Sequence, residues 1–258
     1  MVDGKRRTAV VTGGLAGIGL AVSQALSQSG LRVAIGARSG GDSAQQSEAR
    51  AILGDDSIVL PLDVTQETSV AEFCQTVTNA TGGIDILVNS AGISVHQVVC
   101  GHLLSDWQDV IDTNLTGPFL MTRACLPGMI SQRWGRIVNI ASTAAKTAVA
   151  DHAAYCASKA GLLGLTRAVA LEGAPHGVTC TSVGPTWVET EMLRHSAAIM
   201  AQNTGKSVDE EISDLARANP QNRLVQPKEI AALVAFLCSD AAPALTMEDI
   251  SVNAGAHW

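Results

Sequence analysis

One segment constrains the fold of this chain more than any other. The apolar run at residues 8–12 ends directly in Gly13-Gly14-Leu15-Ala16-Gly17-Ile18-Gly19, after which a helical pattern continues to Ser29. Glycines this close together let a chain turn sharply from strand into helix and let its backbone approach a bound group with no Cβ in the way. They also leave the first N–H groups of the helix free to face an anion, which the helix dipole favours at that end. The loop therefore reads as a pyrophosphate cradle, the plainer alternative being a tight strand-to-helix turn with no ligand. The strand, loop and helix context favours the cradle.

The rest of the chain repeats the same alternation. Short aliphatic runs at 8–12, 32–37, 57–62, 84–89, 136–140, 178–183 and 250–253 are nearly continuous in apolar character, as in strands covered on both faces. Helical patterns lie between them at 18–29, 45–53, 69–79, 115–130, 153–173 and 229–238. Strand and helix in turn predict an α/β fold, a doubly wound parallel sheet of about seven strands with helices on both faces. Residues 187–223 break the rhythm, being polar and helix-prone, and read as a lid inserted in one domain that spans 1–258. With 47% hydrophobic and 16% charged residues the chain has material for a sizeable core. A net charge of −7 and 3% aromatic residues disfavour a nucleic-acid or anionic-membrane partner. The six cysteines show no C-x-x-C pair and no metal-ligand spacing, so they read as reduced core thiols with no metal site. The charged N-terminus runs straight into the first strand, and the longest clean apolar run, 230–238, is far below the ~20 residues of a membrane span. A soluble, cytoplasmic protein is the expectation.

Five motifs in order then carry a resemblance. Thr12 to Gly19 has the spacing T-G-x-x-x-G-x-G, and Asn89-Ser90-Ala91-Gly92 ends the fourth strand. Asn114 follows Asp112-Thr113, Ser142 closes Asn139-Ile140-Ala141-Ser142, and Tyr155 precedes Lys159 in a Y-x-x-x-K pattern. The set resembles the short-chain dehydrogenase/reductase family, with its Rossmann-type fold. That implies hydride transfer between a nicotinamide and a carbonyl or secondary alcohol. Charge develops on the carbonyl oxygen as it is reduced, so the site needs a proton donor and a second hydrogen bond to that oxygen. Tyr155, the only tyrosine, is the candidate donor, and Lys159 lies one helical turn on, on the same face. A nearby ammonium is expected to lower the phenol pKa. The resemblance further gives Lys159 the nicotinamide ribose, Ser142 the substrate oxygen, and Asn114 a water-mediated link from Lys159 to solvent. Taken singly, Ser142 also fits a turn, Lys159 a solvated helix face and Asn114 a cap.

For the cofactor, the resemblance points to Gly13, Leu15, Gly17, Ile18 and Gly19 in the loop, Arg38 and Ser39 after the second strand, and Asp63 and Val64 after the third. It adds Asn89, Ala91 and Gly92, then Pro185, Val188 and Thr190, together with Tyr155 and Lys159 themselves. Asp63 also fits a plainer role at a helix start. Where an NAD site carries an acidic residue, this chain has Ala37 followed by Arg38, whose planar fork suits a 2′-phosphate, so NADP(H) is favoured over NAD(H). Three positions depart from the family's pattern: Ala16 where a basic residue is common, Thr186 where Pro-Gly is usual, and Ala254 in the terminal motif.

Pocket selectivity is expected from Ser94, His96, Thr143, Ala144, Val149, His152, Trp187 and the lid, His96 fitting either the pocket or the surface. His152 fits either a contact to an anionic or hydrogen-bonding substrate group or a solvated histidine near a helix start. Met192, Ile199 and Met200 suit core packing or an acyl chain. The nearest branches of the family are β-ketoacyl thioester reductases, including polyketide-type ketoreductases, and β-hydroxy-acid dehydrogenases; a dehydrogenase of cyclic, sugar-like or steroid alcohols is a third reading. Against a small carboxylate substrate stand Ser94 and Ala144, where the hydroxy-acid branch favours Gln and His. A non-catalytic nucleotide sensor is the reading from another class, although such a protein has no need of Tyr155 and Lys159. Finally, Ala157, Ala160, Gly161, Gly164 and Ala168 recur at helical spacing, and either all face the sheet or pack against another helix. Family members commonly pair these helices and use the chain end, here 254–258, so a homotetramer is expected.

Overall fold

Aliphatic runs become strands here because both of their faces are covered. The computed structural model describes residues 6–256 and holds β1 (Thr8–Thr12), β2 (Arg32–Ala37), β3 (Ile58–Pro61), β4 (Ile86–Asn89), β5 (Gly135–Ile140), β6 (Val178–Pro185) and β7 (Asp249–Val252). They form one parallel sheet in the order 3-2-1-4-5-6-7. The helices are α1 (Gly17–Gln28), α2 (Ser43–Leu53), α3 (Glu67–Thr81), α4 (Leu104–Ile111), α5 (Gly117–Gln132), α6 (Ala153–Gly173), α7 (Glu191–Thr204), α8 (Val208–Ala218) and α9 (Pro227–Leu237).

Successive strand residues point to opposite faces, and each face builds its own core. Val11, Ile35, Val88 and Val183 pack under α1 and α9 through Val22, Leu26, Ile230 and Val234. Their neighbours Val10, Leu87, Ile137 and Cys180 pack on the other side under α3 and α5 through Val70, Phe73, Met121 and Met129. Each such side chain contributes roughly 1.5–3 kcal/mol by leaving water. The winding reverses between β1 and β4, so the loops leaving those two strands diverge and open a crevice at their C-terminal ends.

Several local features differ from expectation. α4 was not expected from sequence: it is only eight residues long, and the exposed apolar residues Val98, Val99 and Leu103 ahead of it blur its periodicity. The turn Asp112–Thr116 that joins it to α5 is a π-helix. Residues 187–223 are largely α7 and α8, which pack on each other. The core-thiol expectation holds for Cys74, Cys125, Cys180 and Cys238, whereas Cys156 is half-buried and Cys100 exposed. On α6, Ala157, Ala160, Gly164 and Ala168 are exposed rather than facing the sheet, while Gly161 packs against Leu115. Of the chain-end segment, His257 and Trp258 lie outside the described residues. No helix among the described residues is long and apolar enough to cross a membrane.

Candidate active site

The glycine loop is shaped by steric need. A Cβ on Gly19 would stand 2.3 Å from the carbonyl oxygen of Gly13, and Gly13 and Gly17 have φ of +66° and +51°, where L side chains are strained. Ala16 caps α1 without a side-chain hydrogen bond, the first turn carries no acidic residue, and Leu20 N–H bonds back to Ala16 O. The leading N–H groups of the helix therefore face the crevice. Thr12 Oγ1 accepts the N–H groups of both Ser90 and Ala91 at 3.1 Å, tying the loop after β4 to the end of β1.

Along the expected adenine side, Arg38 is exposed and forms no ion pair among the described residues. Ser39 donates its hydroxyl to Gln45 Oε1 at 2.6 Å. Asp63 Oδ1 accepts from the N–H and hydroxyl of Thr65, so it does organise the turn that leads toward α3, and Val64 is buried beside it. Asn89 is turned inward: its Nδ2 donates to Asn139 Oδ1, whose own Nδ2 donates to Thr166 Oγ1, both at 2.8 Å. Its side chain supports the sheet rather than lining the cleft.

The cleft opens above the ends of β4, β5 and β6 and is open to solvent on one side. Ser142, Tyr155 and Lys159 line it together, with Ile18, Gly92, Pro185, Val188 and Thr190 from the expected cofactor set. Ser142 Oγ accepts Ala144 N–H at 3.1 Å, which leaves its own O–H to donate into the cleft. Lys159 is 5% exposed, and its Nζ donates to Ile140 O at 2.8 Å. Burial draws its pKa down to about 8. The expectation of a phenol lowered by that ammonium is corrected: the Tyr155 pKa is raised, because burial outweighs the opposing hydrogen bond from Ser142. Lys159 Nζ stands 5.6 Å from the centre of the Tyr155 ring and hydrogen-bonds Ile140 O instead. At neutral pH Tyr155 is thus a protonated phenol.

Asn114 is fully buried in the π turn, a distortion found often at functional sites. Its Oδ1 accepts Ile93 N–H, and its Nδ2 donates to Ile93 O and to Ser158 Oγ, at 2.9, 2.9 and 3.1 Å. It clamps the loop after β4 to α6 beside Lys159 rather than capping a helix. A Cβ on Gly92 would fall 3.3 Å from Asn114 Oδ1 and 3.7 Å from Lys159 Nζ, so the missing side chain leaves both groups facing one small space.

Among expected pocket residues, Ser94, Thr143, Ala144, Val149, His152 and Trp187 line the cleft, and His96 lies one layer behind. His152 is buried, not solvated; its Nδ1 donates to Ala150 O at 2.7 Å, so a neutral ring presents Nε2 as an acceptor to His96 Nε2 at 3.2 Å. The same His96 nitrogen is 2.9 Å from Ser196 Oγ on α7. Burial, then the neighbouring His152 and His195, lower the His96 pKa to about 4 against an opposing effect of Asp151. Sequence reasoning did not single out Ser196 or Leu193, because nothing local marks residues of an inserted helix that return to the cleft a hundred positions after His96. Of the three apolar lid residues considered, only Met192 lines it.

Fold and site together define a dinucleotide-dependent oxidoreductase. The family described as enoyl-(acyl carrier protein) reductase, one of the short-chain dehydrogenase/reductases, matches residues 13–257. The chain is 37% identical over 251 residues to the 3-oxoacyl-(acyl-carrier-protein) reductase of Vibrio cholerae serotype O1, covering 97% of each. It is 36% identical over 243 residues to the D-beta-hydroxybutyrate dehydrogenase of Cupriavidus necator, covering 94% of this chain and 93% of the relative. A crystal structure of a variant of actinorhodin polyketide ketoreductase with NADPH superposes with a TM-score of 0.92 at 36% identity, covering 97% of each chain. The chain belongs to the short-chain dehydrogenase/reductase family.

The buried Lys159 makes a signed pH prediction. Its folded-state pKa of about 8 lies below the ordinary 10.5, so between those values the unfolded chain binds more protons and stability rises with pH. Below pH 8 the folded protein bears the full cost of the buried ammonium. Urea midpoints of wild type and Lys159→Met, taken from pH 7 to 10.5, are expected to show wild type gaining on the variant only above about pH 8. A pH-independent difference would contradict a buried, titrating lysine.

Proposed function

We propose that this enzyme is an NADPH-dependent ketoreductase acting on a 3-oxoacyl (β-keto) thioester or a similar ketone. The observation that carries the reading is the convergence of Ser142, Tyr155 and Lys159 on one cleft wall with Asn114 clamped behind them. The bound cofactor supplies hydride. Tyr155, a neutral phenol, donates its proton to the carbonyl oxygen while Ser142 O–H hydrogen-bonds the same oxygen. Lys159, fixed by Ile140 O, has further N–H groups for the nicotinamide ribose and places positive charge beside the phenolate that forms. Asn114 connects that lysine to solvent through the space at Gly92, which allows Tyr155 to be reprotonated.

The chain's own residues fit the cofactor. Gly13, Gly17 and Gly19 leave the room and the free helix N-terminus that a pyrophosphate needs, with Leu15 and Ile18 flanking it. Arg38 and Ser39 take the 2′-phosphate, Asp63 and Val64 the adenine edge, the backbone of Asn89, Ala91 and Gly92 the adjacent ribose, and Pro185, Val188 and Thr190 the carboxamide. The ketoreductase structure that this chain resembles was solved with NADPH, which supports the same preference. Substrate charge also favours the thioester over a hydroxy acid: the cleft is lined by no arginine and by no lysine except Lys159, so a free carboxylate finds no second cation there.

Residues 1–258 are read as one cytoplasmic domain in which 187–223 forms the lid, since α7 brings Met192, Leu193 and Ser196 over the cleft. The exposed small-residue stripe on α6 supports close helix pairing between subunits and a homotetramer.

Three measurements test this. Tyr155→Phe is expected to cut turnover by at least ~100-fold with little change in NADPH affinity, and near-normal turnover overturns the assignment. Replacing Ala37 with Asp and Arg38 with Ser together is expected to shift kcat/KM from NADPH toward NADH, the wild type preferring NADPH from the outset. Light scattering at micromolar concentration is expected to report about four times the 26.7 kDa chain mass, against a stable, active monomer if the α6 stripe has no partner.

A further inference from the structure

Beyond the last rung of the β5–β6 ladder, where Ala141 N–H meets Val183 O at 2.8 Å, the sheet no longer holds the chain that carries Ser142. A single tight turn takes over. Ser142 O accepts Ala145 N–H, and Thr143 O accepts the N–H groups of Lys146 and Thr147, so residues 142–147 form one unit. On one side Ala145 packs with Ala141, Leu162 and Leu163. On the other, Lys146, the residue that closes the turn, reaches across β6 to β7. There its Nζ forms an ion pair with Asp249 Oδ2 at 2.5 Å and donates to Asp249 O at 3.3 Å.

The carboxylate is built into the sheet. Asp249 begins β7 opposite Ser182 of β6, and Ser182 donates its hydroxyl to Asp249 Oδ1 at 2.8 Å. The Asp249 side chain is 9% exposed, against 45% for Lys146. Gly184 is the next residue of β6 on the same face as Ser182, and a Cβ there would stand 3.4 Å from both Asp249 Oδ1 and the carbonyl oxygen of Ser142. One glycine-sized gap therefore brings the carboxylate and the Ser142 backbone to the same place. An ion pair between two exposed side chains does little. Here one partner is buried and fixed by the sheet, so leaving it unpaired is costly and Lys146 is drawn to a single position.

We infer that Lys146 and Asp249 are positioning residues: by pinning the far end of this turn to β7, they aim the Ser142 hydroxyl at the carbonyl oxygen to be reduced. The inference rests on the ketoreductase reading, which gives Ser142 that oxygen. Neither residue of the pair lines the cleft, so their effect passes through Ser142 rather than through contact with substrate or cofactor. A reacting group must be held close to its productive geometry by what surrounds it, and a turn loose at one end lets its hydroxyl wander.

The test follows NADPH-dependent reduction of acetoacetyl-N-acetylcysteamine thioester and of 2-hexanone by wild type, Lys146→Arg, Lys146→Met, and the paired change Lys146→Met with Asp249→Asn. The paired variant leaves no bare carboxylate, so it reports even if Lys146→Met alone fails to fold. It is expected to lower kcat about tenfold, less than the roughly 100-fold that outright loss of a donor to a developing oxyanion costs. KM for ketone and NADPH is expected to stay within about twofold of wild type, and Lys146→Arg to keep most of the rate. The decisive comparison is made in Ser142→Ala, with hydride transfer read under single turnover. There the paired change is expected to have no further effect, because the hydroxyl that it positions is gone. An unaltered kcat in the paired variant, a rise in KM in place of the fall in kcat, or the same loss repeated in Ser142→Ala overturns the inference and leaves the ketoreductase reading standing. A wild type that reduces neither ketone overturns the reading itself.

Discussion

A lysine held inside a protein must have its hydrogen bonds arranged in advance, and that demand organises the centre of this molecule. Lys159 is buried on α6 and is held by the last carbonyl of β5, so strand end and helix must keep their separation for the ammonium to be tolerated. Most of the supporting polar groups find partners in the same region, the buried Asn89 Oδ1 excepted. Asn89, Asn139 and Thr166 link β4, β5 and α6 in one chain of hydrogen bonds that ends on Leu162 O. Asn114 does the same for the β4 loop, the π turn and the start of α6. These amides lie in a dry interior where an unmade bond is expensive, so they define one relative placement of the elements that aliphatic packing alone would leave looser.

The placement explains why the candidate catalytic groups need so little apparatus of their own. Ser142 follows β5, Tyr155 precedes Lys159 by one turn, and both are carried by elements that the amide network has already fixed. Their division of labour follows from environment: burial keeps the phenol protonated, while the backbone N–H of Ala144 occupies a lone pair of Ser142 and turns its hydroxyl into a donor. The same reversal of winding that creates the crevice between β1 and β4 brings the glycine loop to its edge, so the candidate cofactor cradle and the wall that carries Ser142, Tyr155 and Lys159 are consequences of one strand order.

Sheet, crossover helices and the meeting of Ser142, Tyr155 and Lys159 in one cleft were legible in the sequence because each depends on local pattern: apolar runs, spacing of glycines, and a tyrosine one turn from a lysine. What was not legible depended on distance or on burial. The α4 helix was hidden by the exposed apolar residues that precede it. His96 was placed in the pocket, whereas it stands behind His152, since nothing in the order of residues shows which of two histidines 56 positions apart is nearer the cleft. Asn89 was read as a cofactor contact, yet its side chain faces the sheet because Asn139 lies directly across from it in the β4–β5 register. The phenol pKa was expected from the nearest charge alone, and desolvation, invisible until the helix is packed, reverses the direction.

α7 is joined to the body by the least conventional contact in the site. His96, His152 and Ser196 come from the β4 loop, the segment before α6, and α7, and they form one hydrogen-bonded row beside the cleft. Nδ1 of His152 donates to Ala150 O, which turns its Nε2 toward His96 Nε2, the atom that also meets Ser196 Oγ. Ser196 is thereby placed at the edge of the cleft that it lines. Burial and the other histidines hold the His96 pKa down at about 4, so this member of the row is neutral through the physiological range. The row holds α7 against the β4 loop and the start of α6 through side-chain hydrogen bonds that need no ion pair.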